Sequence, residues 1–156
     1  MPTLLEREGR ETMRRRLAAL RPDTPGRWGK FTAPQMLAHV IQSLGMMTGD
    51  VPVKRKRVPW WVRRGPVKHL LIHVLPFPKG LPTSPELLAR ASVGADVSAE
   101  EWADELRAFE QGLERIAQVA ERGEWPSHPA FGPLSGREWG ALQYRHLDHH
   151  FRQFGL

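Results

Sequence analysis

The chain contains no cysteine, which excludes disulfides, thiolate metal ligands and a cysteine nucleophile. Any metal must be held by imidazole, carboxylate or water, and any thiol chemistry must use a thiol brought by the substrate. Long apolar runs are missing as well. The longest, Leu70 to Leu75, is interrupted by His73 and is far too short to span a bilayer. The opening Met1-Pro2-Thr3-Leu4-Leu5-Glu6-Arg7-Glu8 lacks the basic-then-apolar order of a signal peptide, so the expectation is a soluble cytoplasmic protein. Sustained period-two alternation is absent too, so strands are not expected.

What the sequence does have is legible helix punctuation. Thr32-Ala33-Pro34-Gln35, Ser98-Ala99-Glu100-Glu101 and Ser135-Gly136-Arg137-Glu138 read as capping boxes. Thr83-Ser84-Pro85-Glu86 is a fourth candidate, with proline at the first helical position. The pattern predicts helices near 4–20, 33–48, 99–122 and 136–154, ended by Arg21-Pro22, Gly49, Gly123 and Gly155. The proline-rich connection 50–97 is expected to carry a short helix near 66–75 and another near 85–91. At 156 residues the chain is large enough for one well-filled core. The expected architecture is a single all-α domain over 1–156, a four-helix bundle with one long crossover connection carrying short extra helices.

The last predicted helix holds the most informative residues, His146-Leu147-Asp148-His149-His150-Phe151-Arg152-Gln153. At about 100° per residue, Ala141, Arg145, Asp148 and Arg152 cluster on a side expected to face water. Trp139, Gln143, His146, His150 and Gln153 fall opposite, toward the bundle. Far upstream, His39 shares its helical face with Met36, Val40, Ser43 and Met46. An unsatisfied buried donor or acceptor costs roughly 1–3 kcal/mol, and one shared metal ion would satisfy three ring nitrogens at once. The i, i+4 spacing of His146 and His150 lets both imidazoles reach one ion. The alternative for each is a satisfied core or capping histidine. His149 projects further round the helix and reads as a pocket-rim residue. No H-E-x-x-H is present, so a zincin-type protease is unsupported. A second i, i+4 pair, His69 and His73, is a rival ligand pair with no third partner evident, and His128 before Pro129 reads as a loop residue that caps or hydrogen-bonds near the last helix.

Two segments together resemble the DinB/YfiT-like superfamily of metal-binding four-helix bundles. Trp28-Gly29-Lys30-Phe31-Thr32-Ala33-Pro34-Gln35-Met36-Leu37-Ala38-His39 is similar to the region of that family's first ligand. His146 to Gln153 is similar to its H-x-x-H-H segment, with His146 and His150 in the ligand positions. His128-Pro129-Ala130-Phe131-Gly132-Pro133-Leu134-Ser135 and the ending Gln153-Phe154-Gly155 point to a largely uncharacterised branch. The resemblance implies a divalent ion, zinc or nickel, held by His39, His146 and His150 with open positions. It also implies an enzyme, a thiol transferase or a hydrolase acting on a small substrate, with an external low-molecular-weight thiol as possible co-substrate, and a homodimer. Gln143, His149 and Gln153 are the pocket candidates for orienting a bound ligand.

The formal charge of +6 comes from arginine-rich stretches. Lys54-Arg55-Lys56-Arg57, Trp60-Trp61-Val62-Arg63-Arg64 and Lys68 suggest nucleic-acid phosphates, an anionic membrane or an acidic thiol cofactor. The plainer expectation is a solvated loop whose tryptophans cover an end of the bundle. A non-enzymatic, stress-related binding module using 54–68 is accordingly the alternative function. Arg14-Arg15-Arg16 is expected to be an exposed face of the first helix.

Overall fold

Thr32, Ser98 and Ser135 each start a helix in the same way. The hydroxyl accepts the N–H of the residue three along (Gln35, Glu101 and Glu138), whose side chain accepts the cap's own N–H. Each reciprocal pair satisfies two of the donors that a helix start leaves orphaned. The computed structural model describes residues 2–75 and 97–156, and among them the regular elements are helical. These are α1 (Arg7–Leu17), α2 (Ala33–Thr48), a 3-10 turn (Trp60–Arg63), α3 (Gly65–His73), α4 (Ala99–Arg122) and α5 (Gly136–Gln153). The expected helix near 85–91 and the Thr83–Glu86 cap lie outside the described residues.

Boundaries match the sequence reading within a residue or two except at α1, which starts at Arg7 rather than near Leu4 and ends at Leu17 rather than near Leu20. Residues 3–5 have another attachment. The Leu4 N–H donates to the Gly140 carbonyl on α5 at 3.2 Å, and Arg10 Nη1 donates to the carbonyls of Leu4 and Leu5 at 2.9 and 2.7 Å. A Cβ at Gly140 would fall 2.2 Å from Thr3 Oγ1, so this crossing requires glycine. Past Leu17 the chain tightens into i→i+3 bonds, Ala19 to Arg16 and Leu20 to Leu17.

Helix α2 packs on α4 and on α5, while α5 also meets α1 and α3. The core between them is built from Leu37, Leu44 and Met47 of α2, Phe109, Leu113 and Ile116 of α4, and Trp139, Leu147 and Phe151 of α5, all fully buried. Each such side chain stabilises the fold by roughly 1.5–3 kcal/mol. Trp139 also donates its indole N–H to the Pro126 carbonyl at 2.9 Å, a partner its polar edge needs when buried. The shared α2–α5 interface is where His39, His146 and His150 meet.

One helical face departs from the sequence reading. Ala141 is buried, and Arg145 donates to the carbonyls of Ile72 and Leu75 at the end of α3. Asp148 accepts from Arg16 at 2.8 Å. Of the side expected to face water, Arg152 is exposed as expected, while Ala141, Arg145 and Asp148 are covered in part because α1 and α3 lie across them. Arg14 and Arg16 are correspondingly engaged, Arg14 with Glu11 and Glu110 and Arg16 with Asp148, which leaves Arg15 as the exposed member of that triplet.

Candidate metal centre

His39 is placed by the middle of α2, and His146 and His150 by successive turns of α5. The Nε2 atoms of His39 and His146 are 3.2 Å apart, as are those of His150 and His146. One ligand atom from each of the three lies within 4.8 Å of the others. Nitrogens bound to one ion at about 2.0–2.1 Å and at the tetrahedral angle stand about 3.3–3.4 Å apart. Two of the three nitrogen pairs therefore already have about that spacing, and the third lies within 4.8 Å.

The opposite edges of two rings decide what their Nε2 atoms carry. Gln153 Nε2 donates to the Trp28 carbonyl at 2.6 Å, which turns its Oε1 toward His150 Nδ1, 3.1 Å away. Since Oε1 can only accept, His150 carries its proton on Nδ1 and a lone pair on Nε2. Gln143 works the same way on His146. Its Nε2 donates to the Ser43 carbonyl at 2.9 Å, leaving Oε1 3.4 Å from His146 Nδ1. Ser43 Oγ, which donates to the Val40 carbonyl at 2.8 Å, lies 3.1 Å from the same nitrogen. The His150 Nε2 lone pair thus faces His146 Nε2 at 3.2 Å.

Neither ring carries a second proton at neutral pH. Burial, followed by the neighbouring His150 and His39, holds His146 well below the usual histidine range. Burial and then His39 push His150 down to about 3. Neutral, convergent, buried imidazoles with their far nitrogens held by glutamine and serine side chains are the donor set a divalent cation requires.

Around this set the walls are aromatic. The Phe31 ring lies 5.4 Å from that of His39 and 6.1 Å from that of His150. His149 is half-buried at the rim, its ring 5.2 Å from that of His150 and 6.2 Å from that of Trp28. The segment preceding α2 is latched onto the end of α5. Arg27 N–H donates to the Gln153 carbonyl at 2.7 Å, and Gly29, at φ +83°, passes so close that a Cβ would fall 2.3 Å from Gln153 Nε2.

Of the residues singled out in the sequence, His39, His146 and His150 come together. Gln143 and Gln153 point inward as expected, but they orient two imidazoles rather than face an open pocket. His149 stands beside the set and outside it. Ser43, expected on the His39 face, supports His146, a role its spacing alone did not reveal. The rings of His69 and His73 are 4.5 Å apart, and among the described residues no third histidine or carboxylate completes a set with them. His128 serves its own loop, its Nδ1 accepting the N–H groups of Ala130 and Phe131 at 3.1 Å each.

A family model described as a protein of unknown function (DUF1569) matches residues 4–155. No curated protein and no solved structure matches the chain.

Proposed function

The chain belongs to the DUF1569 family of proteins of unknown function, and from its own side chains we propose that it is a metal-dependent enzyme built on His39, His146 and His150. The observation that carries this reading is the convergence of three imidazoles, with His146 Nε2 3.2 Å from the Nε2 atoms of both His39 and His150 and all three ligand atoms within 4.8 Å of one another. A cation among them would accept one lone pair from each ring. We read α1, α2, α4 and α5 as a four-helix bundle with one long crossover, as in the DinB-like superfamily that the two histidine segments resemble.

Zinc or nickel suits an all-imidazole set, and three protein ligands with open positions are the catalytic rather than the structural arrangement. A divalent ion held there lowers the pKa of a thiol or water and so supplies a nucleophile at neutral pH. The substrate class is a small electrophile, attacked by an external thiol or hydrolysed. Lack of cysteine means the thiol is not the protein's own. Phe31 and Trp28 limit water around the set, and His149 at the rim is the side chain we assign to move a proton between the reacting group and solvent.

The test is elemental analysis of protein never exposed to chelator, beside a His146→Ala/His150→Ala variant. About one ion per chain, absent from the variant, is the expected result. Metal-free native protein that also refuses zinc and nickel at micromolar levels overturns the reading. A screen of small thiols against small electrophiles then separates transfer from hydrolysis.

A further inference from the structure

Residues 51–75 contain seven lysines and arginines and no aspartate or glutamate. That local charge exceeds the whole chain's net +6, so the remaining residues are together close to neutral. The structure sorts these cations into two groups. Arg63 and Lys68 are tied down: Arg63 Nε donates to the Ala130 carbonyl and Nη2 to the Lys56 carbonyl, each at 2.9 Å, and Lys68 bridges Glu138 at 2.8 Å. The Lys56 N–H donates to the Pro129 carbonyl at 3.0 Å. These bonds moor the backbone of the segment to the 128–133 loop and hold residue 56 beside residue 63.

The other group points outward. Lys54, Arg55, Lys56, Arg57 and Arg64 are exposed. So are Trp60, at 70%, and Trp61, at 48%, which corrects the expectation that these tryptophans cover an end of the bundle. The Arg64 guanidinium lies 5.7 Å from the Trp60 ring centre. Helix α3, which packs on the 3-10 turn, and the residue that follows it add exposed Leu70 and Val74, four residues apart. Water-exposed tryptophan and aliphatic side chains are unfavourable in isolation. Beside exposed positive charge they match one surface, an interface with apolar depth below and anionic headgroups above.

We propose that residues 54–74 form a docking surface for an anionic lipid bilayer, with Trp60 and Trp61 entering the headgroup region and Lys54, Arg55, Lys56, Arg57 and Arg64 lying along its charge. Exposed Leu70 and Val74 favour lipid over nucleic acid, since base stacking uses aromatic and guanidinium planes and leaves aliphatic side chains without a role. The inference is independent of the metal centre, whose ligands sit on α2 and α5.

Sedimentation with sucrose-loaded vesicles tests it. One set is phosphatidylcholine with about 30% phosphatidylserine and the other pure phosphatidylcholine, with a single-stranded oligonucleotide titrated in parallel. Binding to the anionic vesicles alone, weakened by salt and accompanied by a blue shift of tryptophan emission, is expected. Arg55→Glu/Lys56→Glu/Arg57→Glu should lower partitioning at least a hundredfold, since each of three removed cations is worth about fivefold. Trp60→Ala/Trp61→Ala should abolish the blue shift while metal content and helical circular dichroism stay unchanged. Equal binding to both vesicle types, no binding to either, or undiminished binding by the charge-reversal variant overturns the proposal. Oligonucleotide binding that is tighter than vesicle binding and sensitive to Trp60→Ala/Trp61→Ala reassigns the surface to nucleic acid and overturns it too.

Discussion

Gln153 Oε1 lies 3.1 Å from His150 Nδ1, one turn further along the same helix, and the other end of that amide is committed to the Trp28 carbonyl. An amide held at its nitrogen cannot flip, so the ring it faces has one tautomer. Partners of this kind typically contribute 10–100-fold to metal affinity. Gln153→Ala is therefore expected to weaken zinc binding by about that factor with helical content unchanged, measured by competition with a chromophoric chelator. Gln143→Ala should act in the same direction through His146. Wild-type affinity in both variants would mean that the rings need no support.

Removing the ion should cost stability as well as activity. A ligand present at a hundredfold its Kd stabilises the native state by about 2.7 kcal/mol, and in a domain of this size 1 kcal/mol moves Tm by about 2–4 °C. Chelator should then lower the melting temperature of the zinc-loaded wild type by about 5–10 °C. The His146→Ala/His150→Ala variant should melt at the same temperature with and without chelator. A wild type indifferent to chelator would disprove the linkage.

Gly29→Ala reports on the latch without touching a ligand. The new methyl must displace the Gln153 amide, and the backbone at φ +83° is strained for alanine. A loss of about 1–3 kcal/mol in denaturant unfolding is expected, together with weaker metal binding because His150 loses its acceptor. Destabilisation with unaltered affinity would separate the loop from the site.

His128 gives the fold a dependence on acid. Burial, with Lys56 as the lesser cause, lowers its pKa from the ordinary 6.5 to about 3, and its Nδ1 must stay unprotonated to accept two N–H groups. The unfolded chain takes up this proton below pH 6.5 and the folded chain only near 3. The contribution is thus complete above pH 6.5 and is lost progressively as pH falls between those values, by at most about 1.4 kcal/mol per pH unit. In metal-free protein, His128→Asn, whose Oδ1 can accept the same donors, should flatten the fall in urea midpoint between pH 7 and 4. An unchanged slope would assign the acid sensitivity elsewhere.

What was legible in the sequence was local. Capping boxes are written within four residues, so Thr32, Ser98 and Ser135 marked three helix starts directly. The inward face of α5 followed from helical periodicity, and with it the histidines and glutamines. What periodicity cannot supply is the far side. Ala141, Arg145 and Asp148 read as a solvent face because nothing near them in sequence says that α1 and the end of α3 lie across it. The glutamines were recognised as buried, but their task depended on which end of each amide a distant carbonyl would claim. With that known, α5 carries a compact pattern, Gln143-x2-His146-x3-His150-x2-Gln153, in which each histidine has its own amide three residues to the outside.

The junction of Arg27, Trp28 and Gly29 with Gln153 has a consequence for how an ion would be captured. It fastens the approach to α2 directly to the end of α5, bringing the His39 helix and the His150 helix into register through main-chain and amide bonds that exist without any cation. A chelate formed there would be preorganised, its conformational entropy lost when the chain folds and not when the ion arrives. Capture then involves little besides stripping water from the ion, and amide hydrogen exchange in α2 and the last turns of α5 should be slow in the metal-free protein already.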